Sequence, residues 1–210
     1  MTKFKTAIPD MMRTILGLTK KETHKSITSG INDYNEQLLY KYKDVVVPVL
    51  QRTTGSGRPT LATVIGNFKA LLFNVNDSQN SEPTEIPHDW KIGTPLEIHV
   101  HWLTGDDSDN TERGIKWELE YTYAGMHQPI KTPETLSAET IVKASEGLYV
   151  SYYTSLGVFT PELDNIGGQI LLNIKRVESN EVAPTWNPFL LQIGIHYIAD
   201  GLGSNQMDSK

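Results

Sequence analysis

Hydrophobic and polar residues alternate most regularly between residues 95 and 104. In this segment the apolar positions are Leu96, Ile98, Val100 and Trp102, and the polar positions between them are Glu97, His99 and His101. A period of two is the signature of a β-strand with one buried face. The same alternation recurs in residues 115–123 and 189–198, so the pattern predicts β-strands in the second half of the chain.

Turn-rich segments containing Gly, Pro, Asn and Asp separate the apolar runs after Tyr42. The predicted strands are residues 45–50, 64–75, 95–104, 115–123, 138–144, 148–156, 167–177 and 189–198. Short strands at such spacing, with no helical period between them, indicate an all-β fold. We predict an antiparallel, jelly-roll-like β-sandwich of about eight strands over residues 42–210.

The apolar faces of three strands predict the core of this sandwich. The residues expected in it are Trp102, Trp117, Leu119, Tyr121, Leu191, Ile193, Ile195 and Tyr197. Residues 64–75 are interpreted as one strand with a bulge at Gly66, and residues 76–85 as a polar loop. The proline in residues 45–50 favours an edge strand, because proline cannot donate a backbone hydrogen bond.

Residues 1–41 have a different pattern and are predicted to form an N-terminal arm that is partly helical. Its apolar positions recur at near-helical spacing; they are Ile8, Met11, Met12, Ile15 and Leu16. A short amphipathic helix is marginal in water unless its apolar face is covered. We therefore expect these side chains to provide anchoring or oligomerisation contacts.

Composition narrows the range of partners. The 210 residues carry a net charge of −6, and their 19 basic residues are scattered, which argues against nucleic acid as a ligand. No apolar run approaches the roughly 18 residues that a membrane span needs, so no membrane partner is expected. With no cysteine, the chain has neither disulfides nor thiolate metal sites.

Three histidines are candidate metal ligands. His99 and His101 lie on one face of a predicted strand, and His196 lies on the polar face of the last strand. If these strands are neighbours, the three imidazoles converge as in a jelly-roll metalloenzyme. The sequence positions no carboxylate to complete such a site. We favour the alternative of hydrogen bonds to acidic residues such as Glu118 and Glu120, or of a subunit interface, and expect no metal, cofactor or catalytic residue.

Two tryptophans are candidates for contact with a glycan. Trp90 lies in a turn, Trp186 lies in a Pro-containing loop, and exposed aromatic rings can stack on sugars. For Trp90 the favoured alternative is a side chain that covers the edge of the core.

Four short motifs resemble a family of virion-associated proteins of tailed bacteriophages. Residues 87–94 read Pro-His-Asp-Trp-Lys-Ile-Gly-Thr, which matches a Pro-His-x-Trp-Lys-x-Gly-Thr turn. Residues 99–102 and 117–121 match His-x-His-Trp and Trp-x-Leu-Glu-Tyr, and residues 196–204 match His-Tyr-x-x-Asp-x-Leu-Gly-Ser. The resemblance covers roughly residues 42–204 and does not extend to the N-terminal arm. It implies a structural component of the virion, and it supplies no catalytic residue.

The expected function is therefore that of a bacteriophage virion structural protein, as a capsid decoration or head-fibre component without catalysis. Its expected partners are other copies of itself, with a trimer favoured over a dimer, and virion proteins such as the major capsid protein. Assembly is expected in the host cytoplasm. The alternatives are a tail-associated module that binds host carbohydrate, and a metal-dependent jelly-roll enzyme.

Overall fold

A computed structural model describes residues 40–49, 56–105, 109–164 and 166–200. The chain divides into two units, Met1–Lys41 and Tyr42–Lys210. Apart from Tyr40 and Lys41 of the first strand, the described residues belong to the second unit. The anchoring residues predicted at positions 8, 11, 12, 15 and 16 lie outside the described residues.

Eleven β-strands and no helix form the described part of the chain. Their bounds are β1 (Tyr40–Val47), β2 (Thr60–Ile65), β3 (Phe68–Leu72), β4 (Ser78–Asn80), β5 (Thr84–Glu85), β6 (Leu96–Leu103), β7 (Arg113–Ala124), β8 (Glu134–Val142), β9 (Ser151–Phe159), β10 (Gln169–Val177) and β11 (Phe189–Asp200). The prediction of an all-β fold is confirmed. None of the described residues belongs to a helix that could cross a membrane.

The strands form two antiparallel sheets. The six-stranded sheet has the order β2-β3-β11-β6-β9, with β1 also pairing with β11. The five-stranded sheet has the order β4-β10-β7-β8, with β5 also pairing with β10. From β6 onward the chain crosses between the sheets at every step except β7 to β8. Such crossing occurs in jelly rolls, and the jelly-roll topology stays a prediction.

The core lies between the two sheets and is rich in aromatic rings. Trp102 of β6 and Trp117 of β7 come from opposite sheets, are fully buried, and have ring centroids 6.4 Å apart. Phe73 meets Trp117 edge-on at 5.2 Å. The indole nitrogen of Trp102 donates a hydrogen bond of 2.9 Å to the Thr154 hydroxyl, which satisfies the polar atom of this buried ring.

One residue predicted for the core, Leu191, lies on the outer face of its strand. Leu191 is 47 % exposed, whereas Leu190 is buried. The cause is a β-bulge, because Leu190 pairs with Trp102 and Gln192 with His101, which leaves Leu191 as an extra residue. A bulge inserts one residue and reverses the alternation beyond it. The other seven predicted core residues are buried.

Two further predictions about strands are corrected by the structure. Residues 64–75 are not one bulged strand, because β2 and β3 form a hairpin around Gly66 and Asn67. Gly66 has a φ of 57°, as a tight hairpin turn requires. The predicted polar loop at residues 76–85 contains β4 and β5, two short strands that pair with β10.

Candidate functional site: a histidine and carboxylate cluster

Polar side chains gather on the outer face of the six-stranded sheet, opposite the core. Strands β6 and β11 are neighbours, with Glu97 opposite His196 and His99 opposite Gly194. The ring centroids of His99 and His196 are 4.2 Å apart. The sequence placed both histidines on polar strand faces, and the pairing of the two strands brings them together.

Gly194 makes room for the imidazole of His99. A Cβ atom at position 194 would lie 2.2 Å from Nε2 of His99 and 3.1 Å from Oδ1 of Asp44. Real Cβ atoms do not approach other atoms to 2.2 Å, so any larger residue would displace the ring. The absence of a side chain at this position therefore allows the imidazole to lie where it does.

Asp44 of β1 completes the cluster, and the sequence analysis did not identify it. Its Oδ2 atom lies 4.0 Å from Nε2 of His99 and 4.0 Å from Nε2 of His196. Because Val47 is buried, the alternation along β1 turns Asp44 outward. The sequence could assign this orientation, but it could not show that β1 pairs with β11.

Glu97 is the second carboxylate of the cluster. It accepts hydrogen bonds from the hydroxyls of Ser155 at 2.7 Å and Tyr153 at 3.0 Å. The bond from Ser155 is the main reason that the pKa of Glu97 is lowered, against the opposing effect of burial. The Oε2 atom of Glu97 lies 3.6 Å from Nδ1 of His196.

His99 is fully buried, and neither ring nitrogen has a hydrogen-bond partner among the described residues. Burial, with a further contribution from the neighbouring His196, lowers its pKa to about 4. The ring is therefore neutral near pH 7. A buried polar group without a partner costs free energy and calls for a specific explanation.

His101 lies beside the cluster but does not complete it. Its ring meets that of His99 at 5.1 Å and that of Tyr153 at 5.6 Å. Among the described residues, the set whose ligand atoms all lie within 4.8 Å of one another is Asp44, His99 and His196. His101 is therefore not part of this set, in which a carboxylate takes the third place.

The expectation of hydrogen bonds from these histidines to Glu118 and Glu120 is wrong. Both residues belong to β7, which lies in the five-stranded sheet. The histidines of β6 and β11 lie on the other sheet, and their acidic neighbours are Asp44 and Glu97.

The two tryptophans proposed for glycan contact are buried. Trp90 has no exposed surface and Trp186 has 6 %. Trp90 forms a β-bridge with Ala199, and Trp186 packs against Gly105, where a Cβ atom would lie 2.4 Å from the Cβ of Trp186. Neither ring presents a face to a sugar, so the hypothesis of glycan stacking on these residues is corrected.

A surface groove of about 660 Å³ lies outside the histidine and carboxylate cluster. It is lined by residues 128–131 and 160–164 together with Gly93. No aromatic side chain is among its described lining residues. It therefore lacks the ring surface on which carbohydrate-binding sites stack sugars.

Comparison with known protein families and with characterised proteins finds no match for the sequence. Among solved structures, the fold is similar to a chain of infectious bursal disease virus, Gx strain (TM-score 0.36, 10 % identity, 80 % of this chain and 33 % of that chain). It is similar to the CBM22-1 xylan-binding domain of Xyn10C from Paenibacillus barcinonensis (TM-score 0.34, 10 % identity, 78 % and 87 %). It is also similar to dimeric latent PorU from Porphyromonas gingivalis (TM-score 0.29, 7 % identity, 77 % and 13 %). This chain thus spans one third of the viral chain.

Proposed function

We propose that this protein is a structural component of a tailed-bacteriophage virion, a decoration or head-fibre protein of the capsid that performs no catalysis. Its described part is a two-sheet β-sandwich, an architecture compatible with a structural or a binding role. The proposal rests on what the residues of the family-like motifs do in this fold.

The observation that carries the proposal is that backbone hydrogen bonds join the first motif, at residues 87–94, to the last, at residues 196–204. Trp90 bridges to Ala199, and the amide of Lys91 donates to the carbonyl of Ile198 at 2.8 Å. The amide of Asp200 donates to the carbonyl of Asp89 at 2.9 Å. These contacts hold the turn before β6 against the end of β11. Both motifs therefore have a role in holding the sandwich together.

The two middle motifs contribute to the core. Trp102 ends the second motif, and Trp117, Leu119 and Tyr121 belong to the third. All four side chains are buried between the sheets. Residues with this role stabilise a framework, whereas catalytic groups must reach a substrate, and this difference supports a structural protein over an enzyme.

The outer face of the six-stranded sheet supports association with other proteins. Tyr42 and Val46 of β1 are 77 % and 55 % exposed, and Val158 of β9 is 60 % exposed. Exposed apolar side chains beside a polar cluster are suited to an interface with an apolar centre and a polar surround. We propose further copies of this chain, in a trimer, and the major capsid protein as the partners.

The test is quantitative mass spectrometry of purified particles of the phage that encodes this chain, with heads and tails separated before analysis. A capsid component is expected in the head fraction at a fixed ratio to the major capsid protein. A portal or other known head protein and a tail-tube protein serve as controls for the separation. Absence from particles contradicts a virion protein, and recovery with tails contradicts a capsid position.

A further inference from the structure

We propose that Asp44, His99 and His196 bind one divalent first-row transition-metal ion, which links strands β1, β6 and β11 across the outer face of the six-stranded sheet. This site goes beyond the proposed virion function and does not depend on it. The ion would join three strands that are far apart in sequence.

The geometry of the three side chains fits an ion of this size. The Asp44 oxygen lies 4.0 Å from a nitrogen of each histidine, and all three ligand atoms lie within 4.8 Å of one another. A point at the centre of such a triangle is at most about 2.5 Å from each atom, compared with roughly 2.0–2.2 Å in zinc sites. Small side-chain rotations, without movement of the strands, are sufficient to close the difference.

His99 provides independent evidence for a ligand. It is fully buried, and neither ring nitrogen has a hydrogen-bond partner within the described part of the chain, while Nε2 is directed toward Asp44. A bound cation would give this nitrogen a partner.

Glu97 lies on the side of His196 that faces away from the proposed ion. His196 directs Nε2 toward Asp44 and Nδ1 toward Glu97, at 4.0 Å and 3.6 Å. Metal-binding histidines commonly donate their second N–H to a carboxylate, which fixes the tautomer and the ring orientation. Glu97 is itself held by hydrogen bonds from Ser155 and Tyr153, so its carboxylate is fixed beside Nδ1 of His196.

The chemistry of the ligands selects the class of ion. Two imidazole nitrogens and one carboxylate oxygen suit zinc, iron(II), cobalt(II) or nickel(II). Calcium and magnesium prefer sites made of oxygen atoms. Three protein ligands leave a fourth position, which water fills in the simplest case.

The experiment uses the full chain after treatment with a chelator and dialysis, with zinc chloride as the probe and calcium chloride as the comparison. Titration calorimetry is expected to show one zinc ion per chain and no calcium binding. A free zinc concentration about 100 times Kd is expected to raise Tm by about 5–10 °C, because the ion binds the folded state alone.

Variants identify the ligands. Asp44→Asn and His196→Gln each remove a half-exposed ligand, and each is expected to weaken zinc binding by more than the roughly 10–100-fold expected for Glu97→Gln. The matched control is His88→Gln, since His88 also pairs with a glutamate, Glu85 at 2.8 Å, outside the cluster. This control and His101→Gln are expected to retain one zinc ion at unchanged affinity.

Three results would overturn the proposal. The first is the absence of stoichiometric zinc binding by the folded wild-type chain. The second is retention of one zinc ion by the double variant Asp44→Asn, His196→Gln, which would place zinc elsewhere on the surface. The third is an equal loss of affinity in His88→Gln, which would indicate binding without a defined site.

Discussion

The Tyr197 hydroxyl donates a hydrogen bond of 2.9 Å to Oδ1 of Asp89, joining residues 108 positions apart in the sequence. Lys43 of β1 pairs with the other oxygen of the same carboxylate. Burial alone would raise the pKa of Asp89, but the bonds from Lys43 and Tyr197 outweigh it and lower the pKa. Asp89 is therefore an ionised residue that connects the turn before β6 with β1 and β11.

The first prediction concerns this bond. Tyr197→Phe removes one hydrogen bond to a carboxylate and is expected to lower the free energy of unfolding by about 1–2 kcal/mol. Urea denaturation at pH 7 measures the change. Tyr42→Phe, at an exposed tyrosine, is the control and is expected to change stability by less than about 0.5 kcal/mol. Equal effects of the two changes would show that the bond contributes nothing to stability.

The second prediction separates the core from the β-bulge. Trp117→Ala is expected to cost about 3–5 kcal/mol, because it opens a large cavity between the sheets. Leu191→Ala is expected to cost less than about 1 kcal/mol, because Leu191 is half exposed. Chemical denaturation of both variants is the measurement. A large loss in Leu191→Ala would place this residue in the core, as regular alternation without a bulge requires.

The third prediction concerns Gly194. Gly194→Ala places a methyl group against the imidazole of His99 and is expected to cost about 1–3 kcal/mol by overpacking. The cost should fall when the same change is made in the His99→Ala background, since the contact is then absent. A double-mutant cycle by thermal denaturation measures the coupling. Additive effects would show that the imidazole lies elsewhere.

The fourth prediction is a dependence of stability on pH. Glu139 accepts hydrogen bonds from the Ser179 hydroxyl and from the amides of Asn180 and Glu181. Burial opposes ionisation, but these bonds outweigh it and lower the pKa of Glu139 below its usual value of 4.5. A lowered pKa stabilises the fold above pH 4.5, and the stabilisation is lost as the pH falls through the lowered value.

Glu139→Gln should therefore be less stable than the wild type at pH 7, and the difference should shrink as the pH falls below about 4.5. Urea denaturation between pH 3 and pH 7 measures it. Glu118→Gln, on the same sheet, is the control. A difference that stays constant with pH would show that the charge of Glu139 is not involved.

The fifth prediction concerns the N-terminal arm. Because β1 begins at Tyr40, the deletion that tests the arm should remove residues 1–39 and keep this strand. The truncated chain is expected to remain a folded β-sandwich and to lose its incorporation into particles. Circular dichroism and the occupancy of purified particles are the two measurements. Normal occupancy, or failure of the truncated chain to fold, would contradict an anchoring role.

Alternation in the sequence predicted the long strands and most of the core, because each is set by which residues share one strand face. The error at Leu191 has a different origin, since a bulge depends on how β11 pairs with β6. The hairpin at Gly66 was recognisable, because Gly-Asn between two apolar runs is a known hairpin signal.

The candidate site was only half predictable, for the same reason. His99 and His196 could be assigned to polar strand faces from the sequence. Asp44 belongs to the cluster because β1 pairs with β11, and no local pattern encodes a pairing across about 150 positions. Glu97 was likewise visible as a polar residue, but its contact with His196 follows from the register of two strands.

The position of β11 has a consequence for the order of events during synthesis. This strand lies between β3 and β6. Each of these two strands therefore lacks one of its two neighbouring strands until residues 189–200 have left the ribosome. The five-stranded sheet has all its strands once Val177 is made. We therefore expect nascent chains from which β11 has not yet emerged to expose unpaired strand edges, which makes them prone to aggregation and dependent on chaperones.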